Sequence, residues 1–263
     1  MIFEIEKLKL TMPYLSGLYY LHHSNQSRMA YHENNILAEV ILQYPGTLQI
    51  LERFGIPLGL GNDTIDVVCE RHEVLPNLFT LVLNVSTFPE YVPQSGKSYD
   101  FIPQLLRYLS SSHRYFTEIK IPQVDDDVNR LILELGDNKA RALSHLFKHY
   151  IAEVSEHIQY ENETVFKYIQ ELYSCYQKQQ LPDQSVSYHI GVYGAHHDDI
   201  ESVLMDVKNI LIRHIPQTEK GPLRRKILHQ LFELERDLYS HTRLENEVLI
   251  PIVQHLEAEI NPI

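Results

Sequence analysis

The stretch His157-Ile-Gln-Tyr-Glu161-Asn-Glu-Thr-Val-Phe166 returns in nearly the same form as His241-Thr-Arg-Leu-Glu245-Asn-Glu-Val-Leu-Ile250. Each copy sets a histidine and a glutamate four residues apart, then Asn-Glu, then an apolar run. On an α-helix, positions i and i+4 lie one above the other on the same face. Each copy can therefore aim an imidazole nitrogen and a carboxylate at one point. Two such copies on facing helices make a cage suited to a pair of transition-metal ions.

Working outward, both copies sit inside long helical patterns. Helix A is expected from about residue 99 to 135, with Pro122 as an internal kink or break. Gly136-Asp-Asn turns the chain into helix B, about 139–178, which exits at Leu181-Pro182-Asp. Helix C spans about 188–213. Helix D spans about 222–257 and opens with Gly221-Pro222, in line with the preference for proline in a first helical turn. Four long helices with short connections predict an all-α, up-down-up-down four-helix bundle over 99–257. Residues 1–35 read as a partly irregular N-terminal extension. Residues 36–83 read as a small helical domain: Ile36, Val40, Ile41, Leu48, Leu51 and Phe54 form a stripe that stops at Gly55-Ile-Pro57-Leu-Gly59-Leu-Gly61. Asn62-Asp-Thr64 then caps a helix through Ile65, Val68 and Cys69. Residues 84–98 hold two prolines and one glycine and read as a linker.

Composition narrows the function classes. The 263 residues are 44% apolar and 22% charged, with a formal charge of −12, so clustered cations for nucleic acid are absent from the balance. The short basic cluster of Lys220, Arg224, Arg225 and Lys226 reads as a helix start on a solvated face. Cys69 and Cys175 are the only cysteines, which excludes a disulfide scaffold and a thiolate-rich zinc or iron–sulfur site. Cys69 reads as a buried apolar residue. The charged N-terminus lacks the apolar core of a signal peptide, and no run approaches the roughly 20 residues of a membrane span. A cytoplasmic protein without a membrane partner is expected, and a homodimer is compatible with the sequence.

His-x-x-x-Glu spacing alone is weak, because it also occurs at His149/Glu153, His197/Glu201, His229/Glu233 and His255/Glu259. The shared flanks and mid-helix positions separate 157/161 and 241/245 from a surface pair. Depth adds a second filter at about 1.5 Å per residue. His113 and His157 lie similarly far from the A–B turn, as do His197 and His241 from the C–D turn. Across the B–C connection the match is poorer, so a long connection, or part of 181–190 descending as extended chain, must absorb the difference. The predicted ligands are His113, His157, Glu161, His197, His241 and Glu245. Four imidazoles and two bridging carboxylates give about eight donors; two six-coordinate irons sharing an oxo or hydroxo bridge would keep about one open position each, enough for O₂ or NO. His145, His149 and His196 fall outside this set. Tyr115, Tyr160 and Tyr193 lie beside ligand positions and are read as core packing. Asp125-Asp-Asp127, Asp198 and Asp199 are expected to face solvent.

Four segments carry a resemblance: Ser112-His113-Arg-Tyr-Phe-Thr-Glu-Ile-Lys-Ile-Pro122, Glu156-His157-Ile-Gln-Tyr-Glu161-Asn-Glu, His196-His197-Asp198-Asp199, and His241-Thr-Arg-Leu-Glu245-Asn-Glu-Val-Leu-Ile-Pro251. In order and spacing they resemble the di-iron iron–sulfur-cluster repair proteins, whose C-terminal half is a hemerythrin-like bundle. Position by position, the resemblance implies the same six ligands, with the glutamates bridging two non-haem irons. Leu37-Ala-Glu-Val-Ile-Leu-Gln-Tyr-Pro-Gly-Thr-Leu-Gln-Ile-Leu-Glu-Arg-Phe-Gly-Ile56 is similar to the family's small N-terminal domain. Many members follow Gly-Ile with a Cys-Cys pair; this chain has Gly59-Leu60, so those thiols are missing. The resemblance implies iron donation to clusters damaged by nitric oxide or oxidants, with apo or damaged iron–sulfur proteins as partners. An O₂- or NO-binding sensor or carrier, or an NO-reducing enzyme, are the alternatives.

Overall fold

Four short helices come first: α1 Leu37–Gln43, α2 Thr47–Phe54, α3 Ile65–Arg71 and α4 Pro76–Thr87. Proline at the first position of α4 presets the backbone and lacks an N–H that would have no helical partner there. Gly55 ends α2 in the left-handed conformation, φ 72°, with its N–H on the Leu51 and Glu52 carbonyls. Gly59 has φ 105°, a backbone that side-chain-bearing residues rarely adopt, so the turn at the missing cysteine pair is built for glycine. Leu60 is buried, as is Cys69 on α3, whose thiol burial pushes up to about 12; it behaves as a small apolar residue.

In this computed structural model, residues 30–93, 98–135, 138–180, 188–195, 200–215 and 221–260 are described. Among them the regular elements are helical, apart from an isolated bridge between Ile36 and Thr64. No helix among the described residues is long and apolar enough to cross a membrane. The bundle begins with α5 Phe101–Arg114 and α6 Ile121–Leu135, continuous through a π-helical turn at Tyr115–Lys120. The second rod is α7 Asn138–Tyr160 and α8 Phe166–Lys178, joined by a π-turn at Glu161–Val165. A short 3₁₀ helix, Ile190–Ala195, precedes α9 Ile200–Asn209 and its π-turn Ile210–His214. The last rod is α10 Gly221–Leu244 and α11 Ile250–Ile260, with a π-turn at Glu245–Leu249 between them.

The chain thus folds as the expected all-α bundle, with two departures from simple rods. Pro122 does not break helix A. Its missing N–H and its ring would disturb the carbonyl four residues back, and the π-turn just before it loosens the ladder there; Pro251 follows the Glu245–Leu249 turn in the same way. The expected α-helix from 188 is a 3₁₀ helix through Ala195, across a stretch holding Gly191 and Gly194. Ile190 N–H donates to Glu257 Oε1 on α11 at 2.8 Å, which ties this segment to the bundle.

The core has two apolar parts. One joins the four short helices to Leu105, Leu109, Val165, Ile169, Leu244, Val248 and Val253. The other joins Phe116, Val124, Phe147, Val154, Ile158, Leu204, Leu211, Leu231 and Leu234. On their rods His113, Glu161 and His241 fall in sequence between these groups, and Glu245 follows Leu244 of the first. Asp127 was expected in solvent but is buried, paired with Arg130 at 3.2 Å and Lys226 at 2.6 Å. Arg224 of the basic cluster donates to Ile215 O at 2.8 Å and so fastens the start of α10 to the end of the third rod.

Helix α4 runs on through Thr87, into the stretch read as linker, because Val85 is buried and Asn84 bonds both backbone polar groups of Tyr31, at 2.7 and 3.0 Å. Arg243 closes its C-terminal end. The buried guanidinium donates to the carbonyls of Val85, Phe88 and Tyr91 and to both oxygens of Glu247. The Val85 carbonyl lies in the last turn of α4, where the helix supplies no donor, and Phe88 and Tyr91 follow it. Arg243→Ala is expected to cost on the order of 3 kcal/mol. That should lower the melting temperature by about 6–12 °C in far-UV circular dichroism. A loss under about 2 °C would show that the clamp is not stabilising.

Candidate metal centre

His113 sits in the last turn of α5, His157 in the last turn of α7 and His241 in the last turn of α10. Glu161 and Glu245 are each the first residue of a π-turn. The His–Glu pairs therefore keep α-helical i,i+4 spacing while the helix widens immediately beyond. His113, Glu161, His241 and Glu245 are all buried, and one nitrogen or oxygen from each lies within 4.8 Å of the others. His157, 18% exposed, joins through Glu161 Oε1 at 2.9 Å. His197 lies outside the described residues, as does His196. The other His-x-x-x-Glu histidines that are described stay out: His149 and His229 are exposed, and exposed His255 contacts the Pro251 carbonyl at 2.7 Å.

The distances carry chemical information. His113 Nε2 stands 3.0 Å from His241 Nε2 and 3.0 Å from Glu161 Oε2, while His241 Nε2 stands 3.1 Å from Glu245 Oε1. Asn162 Oδ1 accepts from His113 Nδ1–H at 2.9 Å, which leaves Nε2 of the neutral ring as a lone pair. Glu161 Oε2 and both Glu245 oxygens are buried without a well-formed hydrogen bond. Lone pairs crowded at this spacing repel unless a cation lies between them. Ligand atoms about 2.1 Å from a shared ion, at right angles, stand about 3.0 Å apart. The nitrogen and oxygen donors suit iron, zinc or manganese more than a thiolate-seeking metal. A metal fits.

Burial splits the two carboxyls. Burial raises Glu161, but contacts with His113 and His157 outweigh it and hold the group well below the usual range. Glu245 is pushed well above that range, first by burial and then by the Glu161 charge. His241 is driven down to about 4, chiefly by burial. His157 is raised: burial opposes the charge, but the Glu161 contact prevails. Tyr193, buried on the 3₁₀ helix, donates its hydroxyl to Glu161 Oε1. Its role reaches beyond the core packing expected from sequence. Only the proximity of Tyr193 to the predicted ligands hinted at this, and for Asn162 only its recurrence in both Glu-Asn-Glu copies.

These shifts fix how the metal-free protein responds to pH. A carboxyl raised in the folded state gives stability that is present at low pH and lost as pH rises through the raised value. Replacing Glu245 by glutamine removes that loss. Metal-free Glu245→Gln is expected to exceed the parent by about 1–2 kcal/mol at pH 8, with a smaller gain at pH 5, in chemical denaturation. Equal stability at both pH values would show that the carboxyl is not strained.

A family model, the hemerythrin HHE cation binding domain, matches residues 104–253. The iron-sulfur cluster repair protein ScdA of Staphylococcus haemolyticus (strain JCSC1435) is 23% identical over 222 residues, covering 82% of this chain and 96% of that protein. From Gln104 in α5 to Val253 in α11 the family match takes in every bundle rod and all the clustered histidines and glutamates, and the chain belongs to the hemerythrin HHE cation-binding family.

Proposed function

We propose that this chain is a non-haem di-iron protein that repairs iron–sulfur clusters damaged by nitrosative or oxidative stress, by donating iron from a carboxylate-bridged centre. Glu161 is the observation that carries the reading. Its Oε1 faces His157 at 2.9 Å and its Oε2 faces His113 at 3.0 Å. One carboxylate divided between histidines of two rods is what a bridge between two ions requires. His113, His157, His197 and His241 would hold the ions, with Glu161 and Glu245 as the shared carboxylates. When bound, a bridged iron pair supplies exchangeable iron and a redox centre for small gases. The similarity to a protein named for iron–sulfur cluster repair, over nearly its whole length, supports the same role here. Apo or damaged iron–sulfur proteins would be the partners, and the cytoplasm the expected compartment.

Iron donation needs a pocket that survives without its cargo, and these residues can meet that need. Two buried carboxylates left bare would repel one another. Burial and the Glu161 charge push Glu245 toward its protonated form, while His113 and His157 hold Glu161 toward its charged form beside the Tyr193 hydroxyl. Loading then returns protons to solvent, so affinity falls as pH falls.

A second reading, reversible binding of O₂ or NO without iron loss, is favoured by a cavity of about 50 Å³. Phe116, Val154, Ile158, Leu204 and Leu238 line it, and it touches His157, Glu161 and His241. One water needs about 10–15 Å³ by this measure, so a diatomic gas fits and a metabolite does not.

The purified protein is expected to hold about two irons per chain by elemental analysis. Glu161→Gln should cut this to about one or fewer. Iron-loaded protein should restore a nitric-oxide-damaged cluster enzyme beyond the level reached with an equal amount of free iron. Recovery no better than free iron would end the repair reading. Tight, reversible spectral changes of the diferrous form with O₂ or NO, without iron loss, would establish the second.

A further inference from the structure

His113 and His241 face each other through Nε2, yet their other nitrogens are treated unequally. His113 Nδ1–H is fixed by Asn162 Oδ1. His241 Nδ1 is buried and has no hydrogen-bond partner among the described residues. A ring that gives Nε2 to a cation must carry its proton on Nδ1, and metal-ligating histidines almost always donate that proton to a carboxylate, carbonyl or water. Side chains on a helix lean toward its N-terminus, which directs the His241 side chain toward the turn that carries Asp237, four residues earlier on α10; the Asp237 charge acts on the His241 ring.

Asp237 is held from outside the bundle. Arg53 on α2 donates Nη1 to Oδ1 at 2.8 Å and Nη2 to Oδ2 at 2.5 Å, and the two side chains are only 7% and 9% exposed. The guanidinium is itself boxed by aromatic rings, 5.4 Å from the centres of both Tyr115 and Phe116 and 5.7 Å from that of Tyr108. Phe116 turns its other side to His241, edge to face at 5.6 Å. A carboxylate oxygen has two lone-pair sites, and Arg53 uses one on each. The second remains for an imidazole N–H.

We infer that Asp237 is the positioning residue for His241, accepting its Nδ1–H when metal is loaded, and that Arg53 of the small helical unit holds Asp237 for this task. The inference rests on the metal reading above and adds a function for the N-terminal helices. They carry no cysteine pair, but through Arg53 they reach the carboxylate beneath one predicted ligand. Loosening α2 from α10 would then weaken metal retention without touching a ligand.

Removing only one partner would leave a buried charge, so the test exchanges both. Arg53→Met/Asp237→Leu keeps the volume and drops both charges, an exchange that buried ion pairs often tolerate. The double variant should melt close to the parent but bind Fe(II) about 10–100-fold more weakly, the usual effect of losing such a partner. Arg53→Met/Asp237→Asn, which also drops both charges but keeps an amide oxygen able to accept, should recover most of the affinity. Wild-type affinity in folded Arg53→Met/Asp237→Leu would overturn the inference and leave the metal reading standing. No metal binding by the parent would overturn both. Should Arg53→Met/Asp237→Leu not fold, the zinc-loaded parent decides by proton NMR. A slowly exchanging downfield Nδ1–H of His241 that moves in Asp237→Asn supports the contact, and its absence refutes it.

Discussion

Two carboxylates, Glu161 and Glu245, are held fully out of water in the middle of the bundle, and everything around them answers that constraint. An isolated buried carboxylate costs far more than a domain's net stability, so it must be paired, protonated or bound to a cation. Here the answers differ between the two. Glu161 is charged and surrounded by His113, His157 and the Tyr193 hydroxyl. Glu245 has no well-formed hydrogen bond and is pushed toward its protonated form. Two buried carboxyls driven in opposite directions titrate as a pair, and the charge on one opposes charge on the other.

The rods present these groups through a shared local device. Each i,i+4 His–Glu pair ends where an α-helix gives way to a π-turn, at Glu161 and at Glu245. Another π-turn starts two residues after His113. Widening the ladder costs ideal hydrogen bonds and recurs at functional sites. Proline accounts for it at Pro122 and Pro251, and the Glu161–Val165 turn has no proline beside it.

The short N-terminal helices are built into the bundle as well as connected to it. Arg243, between His241 and Glu245 in sequence, points away from the pocket and caps α4. Arg53 reaches the other way, from α2 to Asp237 one turn below His241. Two arginines thus tie different parts of the N-terminal region to α10: Arg53 ties α2, and Arg243 ties the end of α4. A buried ion pair is a weak source of net stability, so its place beneath a predicted ligand argues more for orientation than for strength.

The repeated His-x-x-x-Glu-Asn-Glu pattern and the long apolar periods made the all-α bundle readable from the sequence alone, together with the helix faces that carry His113, Glu161, His241 and Glu245. Both follow from helical periodicity, which is a local property. The π-turns, the 3₁₀ helix at Ile190–Ala195, the burial of Asp127 and the reach of Tyr193 into the pocket were not readable. Each depends on which rod lies opposite: Asp127 is buried because Lys226 of α10 faces it, and Tyr193 meets Glu161 because the chain returns across the bundle before α9. Spacing told which residues share a face of one helix. Only packing between helices decided that Glu161 divides its oxygens between two rods, and that an arginine from outside the bundle stands beneath His241.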